Sequence, residues 1–312
     1  MNLYLAPLQG YTDAAWRHFH REIYGGEYVA FTPFVRLEKG EPRSRDMRDY
    51  TSALNSDCER LIPQVIFRDV DELRTLTAAL AAEGAREVNL NMGCPFALQT
   101  AKGRGSGILS RPEALEGLGA IREEFPGIGF SVKMRVGHER SDEWRHILPL
   151  LSPLEPRFVA VHPRTGRQQY AGELHLDEFE ALLAESPFTV IYNGDILTPE
   201  DMATIAERYP QAAGLMAGRG IVGRPSLFME YTQGTIIPVK ERIMLMRKFH
   251  DRLLAHYSDT LCGESQILSK IKPFWEYAEA EIGRKPYKAI RKAGNMKRYL
   301  EAVASIRSDA DV

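Results

Sequence analysis

Asn91 and Cys94 lie three residues apart in the segment VNLNMGCPF, residues 88–96. A free thiol has a pKa of about 8.5 and is mostly protonated near neutral pH. Cys94 therefore suits a proton donor better than a nucleophile, which would need a nearby base or cation to form the thiolate. The alternative interpretation is an inert, buried thiol at the end of a strand.

Lys133 alternates with valine and methionine in the segment SVKMRV, residues 131–136. The alternation places Lys133 on the opposite face of a strand from Val132 and Met134, which predicts an inward orientation. A buried ammonium group needs an anionic or electron-rich partner, because leaving it unpaired costs several kcal/mol. The N1–C2=O edge of a reduced flavin would be such a partner. A neighbouring carboxylate inside the fold is the alternative.

Two glycine-containing segments, NGDI at residues 193–196 and GRGIVG at residues 218–223, could bind a phosphate group. Glycine allows backbone N–H groups to approach an anion closely. Loops after the last two strands of a (β/α)₈ barrel often bind phosphate. The alternative is that both segments form tight turns only.

These residues require a scaffold that brings distant segments together. Eight short apolar segments rich in β-forming residues alternate with segments of helical spacing, which predicts parallel strands. Eight repeats in about 220 residues favour an α/β fold of the (β/α)₈ TIM-barrel type, and no GxGxxG follows the first strand to indicate a Rossmann fold. The predicted strands are residues 3–7, 28–34, 62–67, 87–93, 130–136, 158–164, 189–195 and 214–220, and the clearest helices are 70–85, 111–125 and 197–209.

The predicted strands end in polar residues. Active sites of such barrels lie at the carboxyl ends of the strands, and an unpaired buried polar group costs about 1–3 kcal/mol. A barrel without a ligand would have little reason to place them there. The strand-end residues that we expect at one face are Gln64, Asn91, Cys94, Lys133, Arg135, His162, Arg164, Asn193, Asp195 and Arg219.

The predicted secondary structure changes after residue 237, where helical segments follow one another without strands. We therefore expect a barrel domain over residues 1–237 and a small C-terminal helical domain over residues 238–312. Residues 240–312 contain 15 Lys and Arg against 10 Asp and Glu, so this part carries +5 in a chain whose net charge is −2. Residues 284–298 hold seven basic side chains and no acidic one. This pattern is compatible with phosphate contacts, and the alternative is a solvated cationic helix face.

The composition argues against several other classes of protein. Three cysteines without CxxC or HxxxH spacing give no disulfide framework and no metal site. The apolar segments are shorter than the roughly 18–20 residues of a membrane span, and the N-terminus lacks a signal-peptide pattern. We expect a cytoplasmic protein without metal or membrane association, and a monomer.

Six motifs in order resemble the tRNA-dihydrouridine synthase family: APLQGYTD, NLNMGCP, VKMRVG, VHPRTGRQQY, YNGDI and MAGRG. The helical C-terminal part fits the same family, and SKIKPFWEY resembles its RNA-facing helix. The resemblance implies an enzyme that binds FMN in the barrel mouth and reduces the C5–C6 double bond of a uridine in tRNA. It also implies NADPH, or NADH, as the reductant.

The resemblance further implies roles for matching positions. Cys94 would protonate C5 of the uracil on the face opposite the hydride, and Asn91 and Arg164 would bind the base. RNA phosphates would contact Lys270, Lys272, Arg291 and Lys292. FMN would contact Pro7, Leu8, Gln64, Lys133, His162, Asn193, Gly194, Asp195, Gly218 and Arg219.

Two segments depart from the family pattern. Pro163 stands where the family commonly has glycine, and the loop after Cys94 has no lysine before Lys102. Two other functions therefore remain open. One is a flavin-dependent barrel enzyme for a free pyrimidine, such as a dihydroorotate-type dehydrogenase, for which the basic tail has no obvious use. The other is an RNA-binding relative that has lost catalysis.

Overall fold

The computed structural model describes residues 1–306, and residues 307–312 lie outside the described part. Nine parallel strand segments form one sheet in the order β5-β2-β1-β11-β10-β9-β8-β7-β6, and β3 and β4 form a separate antiparallel hairpin. The strands are β1 Asn2–Leu5, β2 Val29–Phe31, β3 Leu37–Glu38, β4 Glu41–Pro42, β5 Leu61–Ile62, β6 Gln64–Val65, β7 Glu87–Met92, β8 Gly129–Gly137, β9 Val159–Thr165, β10 Val190–Tyr192 and β11 Gly214–Ala217.

The sheet closes into a barrel at Pro63. β5 pairs with β2 and β6 pairs with β7, so the two ends of the sheet are joined by this single residue. Proline has no N–H to donate to a neighbouring strand, which explains the break. Its carbonyl group still accepts a hydrogen bond of 2.9 Å from the Asn89 N–H. The predicted (β/α)₈ barrel is therefore confirmed, with residues 61–65 as its third strand.

The barrel interior has an apolar part and a polar part. Strand register places Gln64 opposite Asn89, Asn89 opposite Ser131, and Asn91 opposite Lys133. These side chains belong to β6, β7 and β8 and make this side of the interior polar. The remaining strands fill the interior with a buried apolar cluster of Tyr4, Ala6, Val29, Phe31, Ile62, Phe158, Ala160, Ile191 and Met216.

The helices are α1 Ala14–Tyr24, α2 Ser44–Tyr50, α3 Val70–Ala82, α4 Ala97–Thr100, α5 Leu118–Glu124, α6 Trp144–Leu151, α7 Leu176–Glu185, α8 Pro199–Arg208, α9 Arg219–Gly223, α10 Leu227–Gln233, α11 Val239–Thr260, α12 Glu264–Ile271, α13 Glu279–Ile282, α14 Arg284–Lys292 and α15 Met296–Ala304. None of the helices within residues 1–306 is long and apolar enough to span a membrane.

Local sequence explains where the predicted helices begin. The side chain of Asp69 accepts a hydrogen bond from the Glu72 N–H at the start of α3, and Thr198 and Asp201 form a capping box at the start of α8. The predicted helix over residues 111–125 is wrong in its first half. Gly117 has a φ of +93°, which interrupts the helical backbone, so only α5 is α-helical.

Helices α11 to α15 follow the last strand without further strands, as the sequence predicts. The long helix α11 packs on α1, where the rings of Trp16 and Phe249 lie 5.3 Å apart in an edge-to-face arrangement. Buried residues of the barrel and of these helices belong to one continuous core cluster. The helical region is thus held rigidly beside the first βα unit of the barrel.

Candidate active site

A cavity of about 530 Å³ opens at the carboxyl ends of the barrel strands. Eleven of the thirteen residues predicted to act in catalysis, base binding or cofactor binding line it, whereas Gln64 and Arg164 do not. The lining set is Pro7, Leu8, Asn91, Cys94, Lys133, His162, Asn193, Gly194, Asp195, Gly218 and Arg219.

The turn that carries Cys94 is held by the side chain of Asn91. Asn91 Oδ1 accepts hydrogen bonds from the Gly93 N–H at 3.1 Å and from the Cys94 N–H at 2.9 Å. From the other side, the Ser106 N–H donates to the Cys94 carbonyl oxygen at 2.9 Å. Gly105 has a φ of +58°, and a Cβ atom there would lie 2.5 Å from the same oxygen. The backbone of Cys94 is therefore fixed from both sides.

The Cys94 thiol is set to stay protonated. Burial raises the pKa of Cys94, and the positive charges of Arg135 and Lys133 oppose this effect without reversing it. Cys94 is a free thiol, and its burial outweighs the stabilisation that the nearby cations would give to a thiolate. The surroundings favour proton donation over nucleophilic attack.

A chain of buried amides supports Asn91 from below. Asn91 Nδ2 donates to Gln64 Oε1 at 2.8 Å, and Gln64 Nε2 donates to Asn89 Oδ1 at 2.8 Å. Asn89 Nδ2 then donates to Ser131 Oγ at 2.9 Å. Gln64 is fully buried, so in this structure its side chain positions Asn91 and does not line the cavity. The chain orients the Asn91 amide so that its oxygen faces the Cys94 turn.

Lys133 brings a positive charge to the cavity wall. Burial, reinforced by the charge of Arg135, lowers the pKa of Lys133 to about 7, and Cys94 acts weakly in the opposite direction. Within residues 1–306, no hydrogen bond or ion pair joins the Lys133 ammonium group to an acceptor. The predicted inward orientation agrees with this position, and the carboxylate partner of the alternative interpretation is not among the described residues.

Arg164 forms an ion pair with Asp195 instead of lining the cavity. Arg164 Nη1 and Nη2 donate to the two carboxylate oxygens of Asp195 at 2.7 and 2.5 Å, and the Gly172 carbonyl oxygen accepts two further hydrogen bonds. The predicted contact between Arg164 and a substrate base would require these bonds to break. In this structure Arg164 holds Asp195, because its guanidinium group is almost fully engaged.

Asp195 connects the loops after β10 and β11. Arg219 Nη2 donates to Asp195 Oδ1 at 2.7 Å, in addition to the contacts from Arg164. Burial would raise the pKa of Asp195, but the hydrogen bonds and charges of the two arginines lower it below its ordinary value. The pairing orients Arg219 at the cavity wall, where its charge could meet an anion.

His162 is neutral in this environment. Burial lowers the pKa of His162 well below its ordinary value, and the surrounding cations, Arg135 first among them, act in the same direction. Arg164 Nη1 lies 3.4 Å from His162 Nε2. Because an arginine only donates, Nε2 is the acceptor and the ring proton belongs on Nδ1.

Glycines allow close packing in the two predicted phosphate loops. A Cβ atom on Gly194 would lie 3.1 Å from Pro163 and from the Tyr192 hydroxyl group. At Gly220, a Cβ atom would lie 2.0 Å from the Ile196 carbonyl oxygen, which no side chain can tolerate. The two loops therefore pack directly against each other. Asn193 adds a hydrogen bond of 2.7 Å from Nδ2 to the Met216 carbonyl oxygen.

Three tyrosines at the cavity were missed by the sequence analysis: Tyr11, Tyr170 and Tyr277. The Tyr170 ring lies between two guanidinium groups, with Arg135 at 5.2 Å and Arg219 at 4.3 Å from its centroid. The rings of Tyr11 and Tyr277 lie 5.5 Å apart. All three lie in motifs that were recognised, APLQGYTD, VHPRTGRQQY and SKIKPFWEY, but no spacing within the chain linked Tyr277 of the helical region to the barrel cavity.

The four residues predicted to contact RNA divide into two groups. Lys270 forms an ion pair with Asp13, and Lys272 Nζ donates to the carbonyl oxygens of Arg291 and Ala293 at 2.8 and 3.1 Å. Both lysines therefore stabilise the fold locally. Arg291 and Lys292 are exposed on α14. Other exposed basic residues of α14 and α15 are Arg284, Lys285, Lys288, Lys297 and Arg298.

Comparison with known proteins identifies the family of this chain. The family model for dihydrouridine synthases matches residues 4–307. The chain belongs to the dihydrouridine synthase family. As a member of this family, it is a flavin-dependent oxidoreductase.

Named relatives extend the comparison. A "Probable tRNA-dihydrouridine synthase" of Staphylococcus epidermidis is 30% identical over 231 residues, which cover 72% of this chain and 70% of that protein. The "Probable tRNA-dihydrouridine synthase 2" of Bacillus subtilis has the same identity and coverage. Morphinone reductase, a solved structure, shares the fold with a TM-score of 0.52, 12% identity, and coverage of 76% of this chain and 86% of that one.

Proposed function

We propose that this protein is an FMN-dependent tRNA-dihydrouridine synthase that uses NADPH as the reductant. Both named relatives are described as probable tRNA-dihydrouridine synthases, and they align over more than two thirds of their lengths. The observation that carries the proposal is the pairing, at one cavity, of a fixed, protonated thiol with a lysine that lacks an anionic partner among the described residues. Such a pair fits a reduction in which one side of the substrate receives a proton.

The residues present fit FMN. The unpaired Lys133 would bind the electron-rich N1–C2=O edge of the flavin ring, and the neutral His162 would lie beside it without adding charge. Arg219 and the backbone of the loops containing Gly194 and Gly218 would bind the phosphate. Pro7 and Leu8 would contact the ring, and Gln64 would act through Asn91, which it orients. When bound here, FMN would supply hydride chemistry, with NADPH as the source of the hydride and C6 of the uracil as its acceptor.

The remaining proton comes from Cys94. Addition of hydride at C6 builds negative charge at C5, and C5 then takes the thiol proton, which gives the saturated C5–C6 bond. Asn91 holds the turn that aims this thiol, and its second Nδ2 hydrogen would be available to a uracil oxygen. The resulting thiolate is stabilised by the nearby positive charges of Arg135 and Lys133 until solvent returns a proton.

The exposed basic face of α14 and α15 would bind tRNA phosphates. A uridine within folded tRNA must leave its stack to enter the cavity, and contacts elsewhere must offset the few kcal/mol that this costs. Arg291 and Lys292 are well placed for such contacts because they are exposed. We divide the chain accordingly into a catalytic barrel over residues 1–237 and an RNA-binding helical part over residues 238–312, acting as a monomer in the cytoplasm.

A reductase for a free pyrimidine is the competing function. The basic face of the helical region and the tRNA-modifying relatives favour tRNA, because a free base would leave that face without a role. Equal reduction of free uridine or orotate and of tRNA would contradict the proposed substrate.

The test uses purified full-length protein and unmodified tRNA. We expect the protein to carry bound flavin, to oxidise NADPH and to form dihydrouridine. Cys94→Ala should keep the flavin and its reduction by NADPH but lose dihydrouridine formation. A Cys262→Ala variant is the matched control, because this exposed thiol lies in the loop before α12. A colourless protein that takes up no FMN, or a fully active Cys94→Ala variant, would overturn the proposal.

A further inference from the structure

A second groove adjoins the active-site cavity. It is lined by the β3–β4 hairpin, by the start of α3 and by the loop after Cys94, and we call it the hairpin groove. Arg36, Leu98 and Gln99 line both the hairpin groove and the cavity, so the two spaces are continuous. The other lining residues are Leu37, Glu38, Lys39, Gly40, Arg68, Asp69, Asp71, Glu72, Thr75, Lys102 and Arg104.

The acidic residues of the hairpin groove are already paired. Arg104 Nη2 lies 2.6 Å from Glu72, and Arg68 Nε lies 2.9 Å from Asp69. Asp71 pairs with Arg74, and Glu38 lies 3.6 Å from Arg43. Their negative charges are therefore largely neutralised.

Two lysines of the groove, Lys39 and Lys102, have no ion-pair partner within residues 1–306, whereas the charge of Arg36 acts on the Asp46 carboxylate. Lys39 stands at the tip of the β3–β4 hairpin with a φ of +55°, and Lys102 follows α4 in the loop after Cys94. Because the neighbouring carboxylates are occupied, the groove offers positive charge to a ligand. A phosphate backbone is the complementary partner.

The boundary between the groove and the cavity carries two exposed apolar side chains. Phe96 is 60% exposed and Leu98 is 67% exposed, and both follow Cys94 within four residues. Large apolar side chains exposed together beside a cavity indicate a contact surface, and bases of single-stranded nucleic acid pack on such side chains.

Gln99 supplies a polar group at the same place. Its side chain is 7% exposed, and its Oε1 atom has no hydrogen-bond donor among the described residues. A buried amide oxygen without a donor costs about 1–3 kcal/mol. A nucleobase amino group or a ribose hydroxyl group would satisfy it.

We propose that the hairpin groove binds the RNA segment directly adjoining the target uridine, with phosphates at Lys39 and Lys102 and a flanking base against Phe96 and Leu98. This proposal rests on the proposed function, because it assigns a binding path to the RNA substrate which that function requires. It also explains the loop after Cys94, which has no lysine before Lys102. Beside the reacting base, Phe96 and Leu98 make apolar contacts, and Lys39 and Lys102 provide the positive charge further along the groove.

The test compares the Lys39→Glu/Lys102→Glu variant with Arg86→Glu, which changes an exposed arginine immediately before β7, at the end of the barrel opposite the cavity. Binding of an unmodified tRNA transcript to the full-length flavoprotein is measured at several salt concentrations. We expect the groove variant to bind about tenfold more weakly, with a salt dependence reduced by roughly 0.7 per lost phosphate contact. Leu98→Ser should lower dihydrouridine formation with less effect on salt dependence.

Oxidation of NADPH by the bound flavin, measured without RNA, provides the second readout. It should be unchanged in the two charge-reversal variants. If the groove variant instead raises KM for NADPH and leaves tRNA binding at the wild-type level, the groove binds the reductant and the RNA path is wrong. If it behaves as Arg86→Glu in both assays, the groove has no role in binding. Absence of dihydrouridine formation by the wild-type protein would instead contradict the proposed function.

Discussion

The side-chain oxygen of Asn91 accepts a hydrogen bond of 2.9 Å from the backbone N–H of Cys94. The two residues therefore form one structural unit, in which the asparagine holds the turn and the cysteine presents the thiol. Asn91 itself depends on Gln64, which accepts from its Nδ2 atom. The orientation of the thiol is thus linked to polar groups deep in the barrel.

Replacement of Asn91 should affect catalysis more than flavin binding. Asn91→Ala leaves the N–H groups of Gly93 and Cys94 without an acceptor, which we expect to cost about 1–3 kcal/mol of stability. The rate of dihydrouridine formation should fall while flavin content and NADPH oxidation persist. Asn89→Ala is the control, because it breaks the same amide chain without touching the Cys94 turn. Equal catalytic losses in both variants would contradict a direct role for Asn91.

Flavin affinity should depend on pH through Lys133. The pKa of Lys133 is about 7 in this structure, and a hydrogen-bond acceptor such as the flavin N1–C2=O edge raises the pKa of an ammonium group. The protonated form thus binds better, so affinity is greatest below about pH 7 and falls as pH rises toward the higher pKa of the complex. Titration of FMN fluorescence with flavin-free protein measures this. Lys133→Met should bind more weakly and without this dependence, and an unchanged slope would refute the assignment.

The Glu72–Arg104 ion pair should fasten the loop that carries Cys94. Both side chains are about 8% exposed and make two hydrogen bonds of 2.9 and 2.6 Å. Arg104→Gln leaves Glu72 buried with weaker partners, and breaking such a pair costs about 3–5 kcal/mol. Chemical denaturation should detect this loss, and Cys94 should react faster with iodoacetamide.

Arg74→Gln is the comparison for that experiment, because it removes an exposed arginine that pairs with Asp71 and Glu124. Exposed pairs contribute at most about 1 kcal/mol. Similar losses of stability in the two variants would show that the Glu72–Arg104 pair has no special importance for the loop.

Lys270 should differ from Arg291 and Lys292 in its effect on RNA binding. Lys270 pairs with Asp13, which also accepts hydrogen bonds from the Tyr257 hydroxyl group and the Trp16 N–H. Lys270→Ala should therefore lower the melting temperature with little change in the salt dependence of tRNA binding. Arg291→Glu/Lys292→Glu should weaken tRNA binding and flatten that dependence. A flatter salt dependence in Lys270→Ala with an unchanged melting temperature would instead show that Lys270 contacts a phosphate group.

The strands and their polar ends were predictable, because short apolar segments mark the strands and their alternation with helical segments predicts the barrel that brings their carboxyl ends together. Residues 87–93 and 130–136 were predicted as strands, and β7 and β8 occupy those positions. The helix over residues 111–125 was overextended, because helical spacing continues across Gly117 while the backbone there turns left-handed.

The partners of individual polar residues could not be derived from the sequence. Arg164 was expected to contact the substrate. Its guanidinium group instead forms an ion pair with Asp195, which lies 31 residues away along the chain. Gln64 and Asn89 meet only because β6 and β7 pair in one register. Such contacts depend on side-chain geometry across strands, which neither spacing nor composition encodes.

Tyr277 belongs to the helical region and yet forms part of the cavity wall, with its ring beside Tyr11. Its carbonyl oxygen also approaches Gly223 so closely that a Cβ atom there would lie 2.4 Å away. A chimera that exchanges residues 238–312 with those of a relative would therefore replace part of the cavity wall as well as the proposed RNA-binding surface. Retargeting this enzyme to another nucleotide by exchange of its C-terminal helical part would need matching changes at Tyr11 and Gly223.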